Sequence, residues 1–353
     1  MPGRRSAVVR GRGQAAERVF AYGAAVGLLG DQLFGDPRRG HPVAAFGRAA
    51  TTVERTLWRD HRGWGALHTA VCAGGAAGIA ALAARGVRDR HTASVALTAA
   101  TTWAVVGGTS LGREARAIGA ALAAGDVERA RERLPRLCGR DPQALEGQQI
   151  ARAVVESVAE NTSDAVVGAL VWGAVAGVPG LAGFRAVNTL DAMVGHLSPR
   201  YRRFGWASAR LDDVVGWPGA RLTSVLAGAL AGAVGGDPRA ALRAVRQDAR
   251  RHPSPNAGPV EASFAGALGV RLGGTLAYGG RVEHRPVLNG GGRPVEVADI
   301  ERAVRLSRRV TGAALAVCVA ARFGFGAIRR TTGAGSRTTG PIRRTTGAGK
   351  ERG

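Results

Sequence analysis

RAVVESVAENTSDAVVGALVWGAVAGVPGLAGFRAVNTLDAMVGHLSPRYRRFGWASARLDDVVGWPGARL, residues 152–222, sets a carboxylate-rich run against membrane-like sequence and then repeats the contrast. Arg152, Glu156, Glu160 and Asp164 are four apart, so a helix places them in one stripe. Like charges at that spacing repel by roughly 0.2–0.5 kcal/mol per pair. The stripe has two readings, a solvated helix face or a face neutralised by a bound cation or basic partner. Asn161 and Thr162 beside it add oxygen donors, and hard oxygen donors suit magnesium held partly by substrate phosphates. About 20 mostly apolar residues follow, Ala165 to Phe184, long enough to cross a bilayer core. Pro179 and five glycines make that span irregular. Arg185, Asn188 and Asp191 then recur at three-residue spacing on one helical face. Arg210, Asp212, Asp213 and Arg221 close the stretch. Adjacent aspartates point about 100° apart on a helix, so one of the pair faces a given ligand.

Outward from this stretch, apolar blocks alternate with basic loops. Candidate spans are Val19–Leu29, Ala66–Ala84, Thr92–Leu111, the irregular Ala165–Phe184, and Val310–Ile328, with an apolar helix also expected over Leu222–Gly236. The expected architecture is therefore all-α: a multi-spanning α-helical integral membrane protein of four to six spans, with amphipathic helical loops outside the bilayer. Residues 112–151 supply one such amphipathic arm, with Asp126 as an N-cap and a turn at Gly139-Arg140-Asp141-Pro142. No alternating blocks with hairpin turns suggest strands. The net charge of +23 is carried almost wholly by arginine, Lys350 being the single lysine. Arginines spread between apolar blocks, without a zinc-finger, RNA-recognition or helix-turn-helix pattern, argue against nucleic acid and for loops beside membrane spans. They flank most spans on both sides, so orientation is left open. Cys72, Cys138 and Cys318 have neither metal spacing nor a disulfide framework.

Three further features bear on chemistry. Asp36-Pro37 and His41-Pro42 sit on a turn after the first apolar run, either as a helix-ending cap or as a site for a metal, phosphate or nucleotide. His252-Pro-Ser-Pro-Asn256 makes a rigid turn before a helix with Pro259 in its first turn. That is either plain capping or an anion site at the helix start. The glycine-rich GALGVRLGG at 266–274 is no P-loop, and neither a Walker motif nor a dinucleotide fingerprint occurs. The tail repeats IRRTTGAG at 328–335 and 342–349, a low-complexity pattern expected to be disordered.

The segments VESVAENTSDAVV, FRAVNTLDAMVG and RYRRFGWASARLDDVV, together with GDQLFGDPRRGHPVAAFG at 30–47 and RQDARRHPSPNAGPVEASFAGALGVRLGG at 246–274, resemble the cobalamin biosynthesis family CobD/CbiB. The resemblance runs from about Leu29 to Pro286. It divides the chain into a basic extension, 1–18, a membrane domain, 19–328, and a tail, 329–353. It implies a multi-pass protein of the cell membrane that joins an amino alcohol, aminopropanol or its phosphate, through an amide to the free propionate of adenosylcobyric acid, with ATP and magnesium. The implied partners are the corrinoid, the amino alcohol, the lipid bilayer and other enzymes of the pathway. On this reading Glu156, Glu160 and Asp164 bind magnesium or supply a base, and Asp212 or Asp213 completes the site. Arg185, Arg210 and Arg221 neutralise phosphates. Asn161, Asn188, His252 and Asn256 orient substrate, with Asp36 and His41 in support. Where the family pattern reads Met-Val-Gly-Tyr-Lys-Asn, this chain has Met193-Val194-Gly195-His196-Leu197-Ser198, and Arg200 is the nearby cation. A transporter or non-catalytic scaffold for corrinoids is the alternative. A transporter would show mid-span ionisable residues or a repeated half, and the sequence shows neither.

Overall fold

A computed structural model describes the backbone of residues 3–36, 40–139, 142–143, 145–278 and 281–335, and the side chains of all these except 3–13, 275–278, 281–284 and 328–335. The helices in chain order are α1 (Gly3–Phe34), α2 (Pro42–Leu57), α3 (Arg62–Val87), α4 (His91–Val105), α5 (Gly108–Ala123), α6 (Val127–Arg133), α7 (Gly147–Asn161), α8 (Gly168–Ala176), α9 (Val178–Val194), α10 (Trp206–Ala229), α11 (Pro238–Asp248) and α12 (Ala257–Leu268). An antiparallel hairpin, β1 (Leu272–Tyr278) and β2 (Arg281–Leu288), precedes the last helix, α13 (Val297–Gly335). Asp141 and the second copy of the tail repeat lie outside the described residues.

Helices α7 and α12 form the centre. Ile150, Val154, Val155 and Val158 of α7 and Val260, Phe264 and Ala265 of α12 are all buried in one apolar core. Because α7 is buried nearly all round, its ends are fixed by polar contacts. Glu146 and Gln149 form a reciprocal capping box at its start, with the Glu146 N–H donating to Gln149 Oε1 at 2.9 Å. At its other end α7 runs into a π turn, Thr162–Val167, that joins it to α8. A smaller core of Ala50, Cys72, Ala73, Ala186, Val187 and Leu190 binds α2, α3 and α9. The expected cap holds, Asp126 Oδ1 accepting from the Arg129 N–H at 3.0 Å, and Asp237 likewise caps α11.

The all-α membrane architecture holds, and the expected spans Ala66–Ala84, Thr92–Leu111 and Val310–Ile328 fall in segments of membrane-crossing length. Among the described residues, three segments are long and apolar enough to cross a membrane: Arg62–Val87, His91–Ala123 and Val297–Ala327. The second is broken between α4 and α5, where Val106 and Gly107 leave the helix. On these segments Leu67, Ile79, Leu82, Val317 and Phe325 stand exposed, as side chains facing lipid would. The expected span Ala165–Phe184 is not one helix. Gly177, at φ +67°, ends α8 and begins α9, so this region folds back as two short helices. Arg322 of α13 answers the resulting loose carbonyls: its guanidinium donates to the Ala174 and Gly173 carbonyls at the end of α8 and lies 5.4 Å from the Phe20 ring. Val19–Leu29 lies within α1, which is not among the three segments and buries Phe20, Ala24 and Leu28. The hairpin is a departure from the expected absence of strands.

Glycines set two of the helix crossings. Gly23 and Gly27 of α1 are one turn apart and let that helix lie against α4. A Cβ at Gly27 would stand 2.6 Å from the Ala99 carbonyl oxygen and 2.6 Å from Thr102 Cβ. Gly219 of α10 meets Gly168 at the start of α8, where a Cβ would lie 2.7 Å from the Gly168 Cα. This second contact sets how close α10 comes to the π turn. Gly219→Ala is expected to push those backbones apart and cost about 1–3 kcal/mol. The check is the thermal midpoint in detergent, with an unchanged midpoint contradicting the packing described.

Candidate active site

Helices α7, α9 and α10, one π turn and the end of α1 bring the charged clusters of the sequence together. A π turn winds more residues per turn than an α-helix, so it rotates the residues beyond it out of the i, i+4 register. Glu156 and Glu160 precede it and Asp164 lies in it, so Asp164 leaves the four-residue register of the two glutamates. Glu156 is buried and accepts from the Gly273 N–H of the hairpin at 2.7 Å, with Arg152 3.9 Å away. It anchors β1 and does not join the other acids. Asp164, by contrast, is buried beside Glu160, Asp191 and Asp212.

Asn188 connects α9 and α10. Its amide donates to Asp212 Oδ1 at 3.5 Å, a long bond, and its oxygen accepts from Arg185 Nη1 at 3.3 Å. Asn256 braces the next turn, donating from Nδ2 to the Asp213 carbonyl at 2.9 Å and accepting from Arg221 Nη1 at 3.1 Å. Arg221 also lies 4.7 Å from the Trp217 ring. Asp36 reaches in from the end of α1, where the Asp36 N–H donates to Ser110 Oγ at 3.2 Å. His41 caps α2, its Nδ1 accepting from the Val43 N–H, and its Nε2 stands 3.9 Å from Asp36.

The electrostatics follow from too many acids and too few cations in a confined space. Burial, the neighbouring Asp213 and Glu160 raise the Asp191 carboxyl to about 6. Burial and the Asp191 charge raise Asp212 to about 7, against the bond from Asn188. Asp164 is pushed well above the carboxylate range by burial and by the charges of Glu160, Asp212 and Asp191. Arg185 is the cation among them. Burial lowers its pKa, while Asp36 and Asp164 act to hold its charge. Asp36 Oδ1 and Arg185 Nε are both buried without a hydrogen-bond partner among the described residues.

Other expected site residues are engaged elsewhere. His252 is buried 3.8 Å from Glu261, and its Nδ1 accepts from the Ser254 N–H at 3.1 Å. At the start of α12 the Asn256 and Ala257 amides are already engaged, Ser254 Oγ accepting from both N–H groups. Asn161 donates back to Ser157 of its own helix. Arg210 is exposed and pairs with Asp213 at 3.5 Å. Arg200 packs on α2, donating to Glu54 Oε1 at 3.0 Å and lying 4.6 Å from the Trp58 ring. Asp191 belongs to the site as fully as Asp212, and its one signal in the sequence is the three-residue spacing from Asn188.

The donor set is all hard oxygen, which suits a divalent cation of the magnesium type. Among the described residues, no three His, Cys, Asp or Glu side chains lie together as a metal cage. That fits magnesium shared with a phosphorylated substrate, which is ordinarily bound through one or two carboxylates, and does not fit a metal held by protein alone. One or two of the carboxylates of Asp164, Asp191, Asp212 and Glu160 would hold it.

The chain matches the family model described as "CobD/Cbib protein" over residues 24–307. It is 54% identical over 299 residues to the cobalamin biosynthesis protein CobD of Mycobacterium tuberculosis, covering 85% of this chain and 95% of that protein. The proteins of the same name in Rhodobacter capsulatus and Geobacter metallireducens are 40% and 41% identical, covering 84% and 79% of this chain and 93% and 89% of theirs. No solved structure matches the chain. The motifs that build the acidic site lie inside the matched region, and the chain belongs to the CobD/CbiB family.

Proposed function

We propose that this protein serves cobalamin biosynthesis as an acid–amine ligase of the cell membrane, crossing the bilayer more than once. It would join aminopropanol or its phosphate to the free propionate of adenosylcobyric acid. The observation that supports this reading is the acid cluster around Arg185, with Asp212 poised at about 7. A carboxylate and an amine do not condense readily in water, so the carboxylate is first activated. In the proposed sequence a propionate oxygen attacks the terminal phosphorus of ATP, ADP leaves, and an acyl phosphate forms. The neutral amine then adds to the acyl carbon, the C–O bond to phosphate breaks, and the amine proton passes to a base.

Asp212 is suited to be that base, since a general base works best with a pKa near the operating pH. Arg185 and Arg221 would neutralise phosphate oxygens, the guanidinium fork matching their geometry. Magnesium, when bound, would offset the charge shared by nucleotide and carboxylates. Asn188 keeps Arg185 and Asp212 in register through its two hydrogen bonds.

The direct test is a reconstituted assay. Protein in liposomes receives adenosylcobyric acid, aminopropanol phosphate, ATP and magnesium, and the corrinoid product is followed by mass. The expected product is heavier by the amide-linked aminopropanol phosphate and forms only with ATP. Corrinoid binding without product would favour the scaffold. Asp212→Asn is expected to lower turnover by about 10²-fold or more and to remove a rising limb near pH 7 from the rate profile. Glu160→Gln is expected to lose turnover while the protein still inserts and folds. Near-normal turnover would remove Glu160 from the site.

The raised pKa values also fix a stability trend. Folded Asp191 and Asp212 hold their protons to higher pH than their ordinary value of 3.8. Their contribution is therefore fully present below about pH 4 and lost as pH rises through about 6 and 7. The ligand-free protein is expected to melt lower at pH 8 than at pH 5. Asp212→Asn is expected to recover part of that loss at pH 8, on the order of 1–3 kcal/mol after allowance for partial exposure. Equal midpoints for both proteins at pH 8 would contradict the shift.

A further inference from the structure

A second cavity, of about 460 Å³, lies at the opposite end of α7 from the acid cluster, between the start of that helix and the hairpin. Among the described residues its charged lining is Arg152 and Arg271, and Gln148 and Gln149 add two amides. Leu272 and Val295 form an apolar part of the wall, and both are buried. The volume is in the range of small-molecule sites, and such sites combine apolar walls with a few placed polar groups.

The cations are held in place. Arg152 is set by Glu156, the same carboxylate that accepts from the Gly273 N–H, so one buried acid positions both a cation and the β1 backbone. Gly274, at φ +87°, leaves room for Arg152, whose Nη1 lies 3.2 Å from where a Cβ would stand. The Arg271 N–H donates to the Arg293 carbonyl at 2.9 Å, and Arg293 is itself clamped to buried Asp299. The Arg271 side chain is exposed at the cavity. Among the described acids nearby, Glu146 caps α7, and Glu156 accepts from Gly273 and lies 3.9 Å from Arg152, offsetting part of that cation's charge.

We propose that this cavity is a binding site for a phosphate-bearing small molecule, separate from the acid cluster by about three turns of α7. Two guanidinium groups recognise phosphate oxygens, and the amides and apolar wall take the organic part of the ligand. The chemistry is shared by an amino-alcohol phosphate and a nucleotide. The site stands on its own residues and does not require the ligase reading.

The test uses the full-length protein in detergent with a metal chelator, so that cation-dependent binding at the acid cluster is silent. Thermal midpoints are measured against inorganic phosphate, aminopropanol phosphate and ATP. One of the phosphorylated compounds is expected to raise the midpoint of both wild type and Asp212→Asn. Its apparent Kd is expected to weaken about tenfold or more in Arg271→Ser, and likewise in Gln148→Glu, which places a negative charge at the exposed mouth. Which compound acts assigns the source of the phosphate. A response equal in wild type and both cavity variants, a response lost in Asp212→Asn, a response to inorganic phosphate alone, or no response to any of the three would overturn the proposal.

Discussion

Charge repulsion among Glu160, Asp164, Asp191 and Asp212 is the constraint around which this molecule is arranged. Like charges in a partly buried site cannot all ionise at neutral pH, and the local response is to hold protons. Arg185 offsets part of the excess, with Asp36 supporting its charge from the end of α1. A site of this kind is held ready for positive charge from outside, and a metal-bound phosphorylated substrate supplies it.

The fold keeps the acids together against that repulsion. Buried α7 fixes Glu160, and the π turn after it carries Asp164 toward α9 and α10. The contact between Gly219 and Gly168 sets the approach of α10, and Asn188 and Asn256 hold it along its length. The segment joining α9 to α10 is pinned to α2 where Glu54 accepts from Arg200 and from the Tyr201 hydroxyl at 2.9 Å. Arg322 braces the break at Gly177 from the lipid side.

Much of the site was legible because helical spacing is a strong signal. Glu160, Arg185 and Asn188 fall on faces that the spacing defines, and the family motifs cover these together with Asp164 and Asp212. Glu156 was drawn into the same set by its i+4 position, and nothing in the local sequence says that a hairpin more than a hundred residues later takes its carboxylate. The hairpin itself was hidden because Gly273, Gly274 and Pro286 are poor strand residues, and it forms as a local pair anchored from α7. The π turn and the break at Gly177 have no reliable signature in an alanine- and glycine-rich run, so Ala165–Phe184 reads as one span. His252 and Arg200 look functional by type, and their burial partners, Glu261 and Glu54, lie too far along the chain to be inferred.

Acids that keep their protons until a cation arrives should give them up when it does. The most direct test is proton release on binding preformed magnesium–ATP, measured in weakly buffered detergent solution at pH 7. Release on the order of one proton per bound complex, reduced in Asp212→Asn, is the predicted result. Binding of equal strength in both proteins with no protons released would show that the cluster is already ionised, and would contradict the role given to it.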